Sequence, residues 1–169
     1  MRQNEYVLIT VESSLKPNDL RCIQVCAMMF LLKPSSIGEL GESSVLAALI
    51  KAGYRVSIPF GDHYRYDLVA ELDGQFQRLQ VKVGRLKQGG ILFRTVSSTG
   101  KGASKIVLNY LDNADSFAVY CPELDSTYLV PVHEVSASGV AVLRTEPCKN
   151  GQEKGVRWAQ DYVVVVQSG

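Results

Sequence analysis

From residue 36 onward the apolar positions fall into a readable order, whereas the first 35 residues show no clean period. Ile37, Leu40, Val45, Leu46, Leu49 and Ile50 recur at helical spacing. With Ser35 and Ser36 as caps and Gly53 as the stop, they predict a helix over 37–52. The stretch Tyr54 to Pro59 alternates like a short strand, and Gly61-Asp62 marks a turn. Tyr66 to Leu72 and Gln75 to Val83 read as two strands joined by Asp73-Gly74, the strongest short hairpin signal in the chain. A two-residue loop pairs Leu72 with Gln75 and, counting back, Asp67 with Gln80 and Arg65 with Lys82. Asp67, Gln80 and Lys82 then share one face. Leu68, Ala70 and Leu72 lie against Leu79, Val81 and Val83 on the other, a core-facing surface.

After the Gly89-Gly90 break, Ile91 to Val96 predicts a strand, Ser97 to Ser104 a polar loop and Ile106 to Leu111 a short helical segment. Phe117 to Cys121, Tyr128 to Val132, Gly139 to Leu143 and Tyr162 to Val166 predict later strands. One helix with a central antiparallel meander gives an α/β or α+β fold. Residues 36–169 are read as a single domain, and residues 1–35 as an N-terminal extension of uncertain order.

Composition excludes several classes. Hydrophobic content of 46% with 21% charged residues is that of a globular chain, not of a disordered chain, a collagen or a coiled coil. No apolar run approaches the roughly 18 residues that cross a bilayer, Val25 to Leu32 being the longest candidate. Four cysteines without a signal-peptide pattern read as reduced thiols in a cytoplasmic protein. Cys22 and Cys26 have no second ligand pair nearby, and His63 and His133 stand alone, so a zinc site is not expected. The net charge of +1 conceals an uneven distribution. Arg78, Lys82, Arg85, Lys87, Arg94, Lys101 and Lys105 fall in a stretch to Leu111 without Asp or Glu, and Asp112, Asp115, Glu123, Asp125 and Glu134 follow.

A carboxylate, an oxygen donor and a lysine on one hairpin face form a set of tools for phosphate chemistry. Hard divalent cations take oxygen ligands, and a lysine offsets charge on a phosphate or orients an attacking water. A surface hairpin with solvated Asp and Lys is the plain alternative.

The ordered set Gly41-Glu42, Gly53-Tyr54, Pro59, Gly61-Asp62, Tyr66-Asp67-Leu68 and Leu79-Gln80-Val81-Lys82 resembles the bipartite signature of the PD-(D/E)XK nuclease superfamily. The resemblance runs from about Gly38 to Pro131 and is fullest with a branch that includes intron-encoded homing endonucleases carrying a QxK motif. It implies a restriction-endonuclease-like α/β core, with a mixed central sheet, an antiparallel hairpin and flanking helices. It also implies a metal-dependent endonuclease acting on double-stranded DNA with Mg2+ or Mn2+. Asp67 would be the central metal ligand, Glu42 a second acidic ligand and the Val81 carbonyl a third. Lys82 would be the catalytic lysine, and Glu39 is a near rival of Glu42. Gln80 departs from the usual Asp or Glu, supplying an oxygen without charge. Arg85, Lys87, Arg94, Lys101 and Lys105 would contact phosphates. Tyr64, Arg65 and Tyr110 are candidates either for bases or for packing. Cutting both strands with one site per chain implies a dimer or higher oligomer. A DNA-binding module that has lost catalysis and a junction-resolving or repair nuclease are the alternatives.

Overall fold

The computed structural model describes residues 31–61, 63–72, 74–99, 106–135, 139–147, 151 and 154–165. Lys101, Lys105, Asp62, Asp73, Cys22, Cys26, Cys148 and all of residues 1–30 lie outside the described residues.

Helix α1 spans Pro34–Lys51. It begins earlier than the serines suggest. Lys33 is the extended N-cap residue, without a side-chain cap bond, and Pro34 opens the first turn, where its fixed φ suits a helix and its missing N–H costs nothing. Gly41, Val45 and Leu49 form its buried stripe at four-residue spacing. The helix ends as expected at Gly53, whose φ of +89° suits a residue without Cβ.

Ten strands follow among the described residues: β1 (Arg55–Ser57), β2 (Leu68–Leu72), β3 (Gln75–Val83), β4 (Arg85–Lys87), β5 (Gly90–Arg94), β6 (Ser97–Thr99), β7 (Ile106–Leu108), β8 (Ser116–Cys121), β9 (Ser126–Pro131) and β10 (Val140–Arg144). The central sheet has the order β1-β2-β3-β8-β9. All its pairs are antiparallel except β3 with β8, so the sheet is mixed. The β2–β3 register is the one the hairpin loop dictates, with Leu72 opposite Gln75 and Leu68 opposite Leu79.

Both faces of the central sheet are covered. On one, α1 brings Val45 and Leu49 onto Leu68, Ala70, Leu72, Leu79, Val81 and Ala118. On the other, a second sheet of order β10-β5-β4 lays Ile91, Phe93, Ala141 and Leu143 over Phe117, Val119, Tyr128 and Val130. Gln80 and Lys82 therefore lie between two sheets, not on an open surface.

Two local expectations are corrected and one strand is added. Ile106 to Leu111 does not form a helical segment. Ile106 and Val107 are β-branched, and Ile106–Leu108 pairs antiparallel with Ser97–Thr99, part of the stretch expected as polar loop. Arg85–Lys87 forms a further strand, one not expected from the sequence, paired antiparallel with β5. The segment at Tyr162 makes only a bridge, Val163 to Tyr128, beside β9.

The approach of α1 to β3 depends on Gly41. A Cβ there would sit 2.6 Å from Val83 Cγ2 and 3.6 Å from Val81 Cγ1. Helix propensity alone would make Gly41→Ala stabilising by about 1 kcal/mol. Because the methyl must displace α1 from β3, we expect the opposite sign: a lower melting temperature for Gly41→Ala in a thermal unfolding scan.

Candidate active site

β3 outlasts its neighbour. The β2 ladder ends at Leu68 opposite Leu79, and residues 80–83 of β3 are paired only with β8. On the side where β2 has not yet begun, the sheet has a notch. Asp67 closes its end: its N–H donates to the Leu79 carbonyl at 2.8 Å, and its Oδ2 accepts the Val81 N–H at 2.7 Å. The carboxylate thus takes the place of the missing strand for a donor that would otherwise lack a partner.

Gln80, buried at 8% exposure, donates its amide nitrogen to the same Oδ2 and approaches the Val81 carbonyl at 3.4 Å. Among the described residues Asp67 Oδ1 takes no protein hydrogen bond and so remains available to a ligand. Burial raises the Asp67 pKa, although the Val81 N–H, the Lys82 charge and the Gln80 amide all act to lower it. From α1, Glu42 enters the same field. Its pKa is raised by burial, by Asp67 and by Glu39. Glu39 and Glu42 are both exposed, and of the two it is Glu42 whose carboxyl feels the charge of Asp67, with Glu39 adding to the crowding through Glu42.

This donor set fits a hard cation. The half-buried Asp67 carboxylate lies beside a backbone carbonyl and an amide, and the exposed Glu42 carboxylate at its rim is raised in pKa by the same crowding of negative charge. Among the described residues no three His, Cys, Asp or Glu side chains converge as a metal cluster, so a cation held here would need further oxygens, for which the Val81 carbonyl and the Gln80 side chain are the nearest candidates.

Lys82 projects from the same strand face as Gln80. Its Nζ donates to the Tyr110 hydroxyl at 3.0 Å and lies 4.5 Å from that ring's centre. Tyr110 is only 5% exposed and packs edge-on against Phe117, which removes it from the base-contacting candidates. Arg65 also turns inward, with its guanidinium carbon 4.9 Å from the Tyr110 ring centre and Nη2 donating to Ser97 Oγ at 3.1 Å. Tyr64 remains 55% exposed. The sequence offered no signal for the Tyr110 contact, because Tyr110 arrives from a strand pair that propensity did not reveal.

The basic candidates separate by role. Arg85, Lys87 and Arg94 all project from the outer face of the second sheet, since Arg85 pairs with Leu92, Lys87 with Gly90 and Arg94 with Val140 while Ile91 and Phe93 point inward. Arg85 is also held by Glu123 at 3.7 Å. Arg144 shares that face but is occupied by the Gln88, Glu146 and Pro147 carbonyls. Arg78 is a structural pin. Its guanidinium grips both Asp115 oxygens and the Asp112 carbonyl, and the hydrogen bonds hold the Asp115 pKa below its usual value.

No curated protein sequence matches the chain. A solved structure does: that of a bacterial homing endonuclease, I-Ssp6803I, is similar with a TM-score of 0.62 at 21% identity, over 78% of this chain and 89% of that one. At that identity the likeness establishes the fold, the restriction-endonuclease-like core that the sequence motif led us to expect. The family model described as PD-(D/E)XK endonuclease matches residues 32–165, from the start of α1 through both sheets, and the chain therefore belongs to the PD-(D/E)XK endonuclease family.

Proposed function

We propose that the chain is a divalent-cation-dependent endonuclease that hydrolyses phosphodiester bonds in double-stranded DNA, with site-specific cutting of the homing type. The observation that carries this reading is the notch beside β3, where Asp67, the Val81 backbone, Gln80 and the field of Glu42 meet next to Lys82. Asp67 and Glu42 would hold Mg2+ or Mn2+, with the Val81 carbonyl and Gln80 Oε1 completing the protein's share. Gln80 can serve only after its amide turns over, because its nitrogen now faces Asp67. When bound, the cation supplies Lewis-acid polarisation of the phosphate and a more acidic water.

The chain's own groups do the rest. The Asp67 carboxylate, fixed by the Val81 N–H, presents its second oxygen in one direction. The Lys82 ammonium places a positive charge, and a proton on Nζ, beside the reacting phosphate. Arg85, Lys87 and Arg94 offer phosphate contacts along the second sheet. Cutting both strands calls for two sites, hence at least a dimer. Among the described residues no helix is long and apolar enough to cross a membrane.

Nicking of supercoiled plasmid with Mg2+ or Mn2+ tests the reading, and DNA binding without nicking would favour an inactive binding module. Lys82→Ala should lower single-turnover cleavage by at least about a hundredfold while DNA affinity, measured in Ca2+, changes by less than about threefold. Gln80→Glu adds a charge beside the cation, so the metal midpoint in a calorimetric titration should fall to lower concentration. Lys87→Ala combined with Arg94→Ala should weaken binding broadly and reduce the slope of log K against log salt by about one counterion per lost contact.

A further inference from the structure

We propose that Tyr110 is a positioning residue for Lys82, holding its ammonium away from Asp67 so that lysine and carboxylate both stay available; the proposal rests on Lys82 acting at the reacting phosphate.

Lys82 stands on the same strand face as Gln80, whose amide bonds Asp67, so the ammonium and the carboxylate share one notch. Two opposite charges so placed in a partly buried notch would gain by closing into an ion pair. They do not close. Among the described residues Lys82 makes no ion pair with any carboxylate, and its Nζ instead donates to the Tyr110 hydroxyl.

The phenol is well placed to resist that closure. Its ring stands edge-on to Phe117 at 5.6 Å between centres and 84° between planes, and it lies in the same apolar cluster as Ile91 and Phe93. Its carbonyl accepts the N–H groups of Asn113 and Ala114, which fixes the backbone behind it. From the other direction Arg65, two residues before Asp67, lies over the ring and bonds Ser97. Burial acts to raise the Tyr110 pKa, but hydrogen bonds from Lys82 and Ser97 and the charges of Lys82 and Arg65 outweigh it and lower the value. Four separated parts of the chain thus converge on one hydroxyl and ring: β3 through Lys82, the approach to β2 through Arg65, β6 through Ser97 and β8 through Phe117.

Tyr110→Phe removes the hydroxyl and keeps the ring. Its melting temperature and its DNA affinity in Ca2+ should match those of the wild type, and the enzyme concentration that half-saturates single-turnover cleavage should not move. The saturating rate should fall by about tenfold or more, as expected when a reacting group is misplaced. Independently of activity, the side-chain ammonium resonance of Lys82 in the 15N-lysine-labelled protein should be visible at low temperature and broaden beyond detection in Tyr110→Phe, with Lys82→Arg assigning the peak. Arg65→Ala, which loosens the ring from outside the core, should reduce the rate in the same sense by about threefold, and it serves if Tyr110→Phe does not fold. A cleavage rate within about twofold of wild type for both variants, while Lys82→Ala is inactive, would overturn the proposal; so would an unchanged Lys82 ammonium signal. An active Lys82→Ala protein would instead overturn the catalytic reading of Lys82, and the proposal with it.

Discussion

β3 runs beyond the last residue that β2 can pair, and the Val81 N–H, facing the gap, is taken by the Asp67 carboxylate at 2.7 Å. Inside a protein a donor left without a partner costs about 1–3 kcal/mol, so this bond is needed for the sheet as much as for the site. Its consequences spread outward. Asp67 is fixed in direction because it completes the sheet, Gln80 is drawn to the same oxygen, and the second carboxylate oxygen faces the notch. Glu42 reaches that field only because Gly41 lets α1 settle on Val81 and Val83. The side that Lys82 occupies is roofed by Tyr110 and Phe117, which belong to the core between the sheets.

The electrostatics follow from that construction. Burial keeps both carboxyl groups reluctant to ionise, and among the described residues neither is directly paired with a cationic side chain. Because Gln80 is neutral, it adds no like-charge repulsion to that between Asp67 and Glu42. Lysine is held near enough to influence Asp67 and far enough not to quench it.

Much of this was legible in the chain because the hairpin is governed by local rules. The Asp73-Gly74 signal predicts a two-residue loop and with it a register, and the observed ladder from Leu72 with Gln75 to Leu68 with Leu79 is that register; it stops there, short of the expected Arg65–Lys82 pair, while the Gln80 amide still reaches Asp67. The helix stop at Gly53 was equally local. What stayed hidden depends on partners distant in sequence. Ile106–Leu108 becomes a strand only through Ser97–Thr99, and Arg78 looked like one more surface cation until Asp115 closed on it. The inward turn of Tyr110 and Arg65 has no local signature at all, since it is decided by Phe117 and by the second sheet.

β3 and β8 are parallel neighbours, so the chain must leave the sheet at Gly84 and return at Asp115 before the two can pair. Both ends of that excursion are fastened: the Gly84 N–H bonds the Tyr120 carbonyl at 2.8 Å, and Asp115 is clasped by Arg78. Between them run β4 to β7, including Arg85, Lys87 and Arg94. Loop-closure entropy grows only logarithmically, with each doubling of length costing about 0.6 kcal/mol. An excursion secured at both ends can therefore be lengthened, shortened or exchanged for another while β3 and its notch keep their shape. The fold thus separates a stretch of chain that is free to change in length from a strand whose register is not.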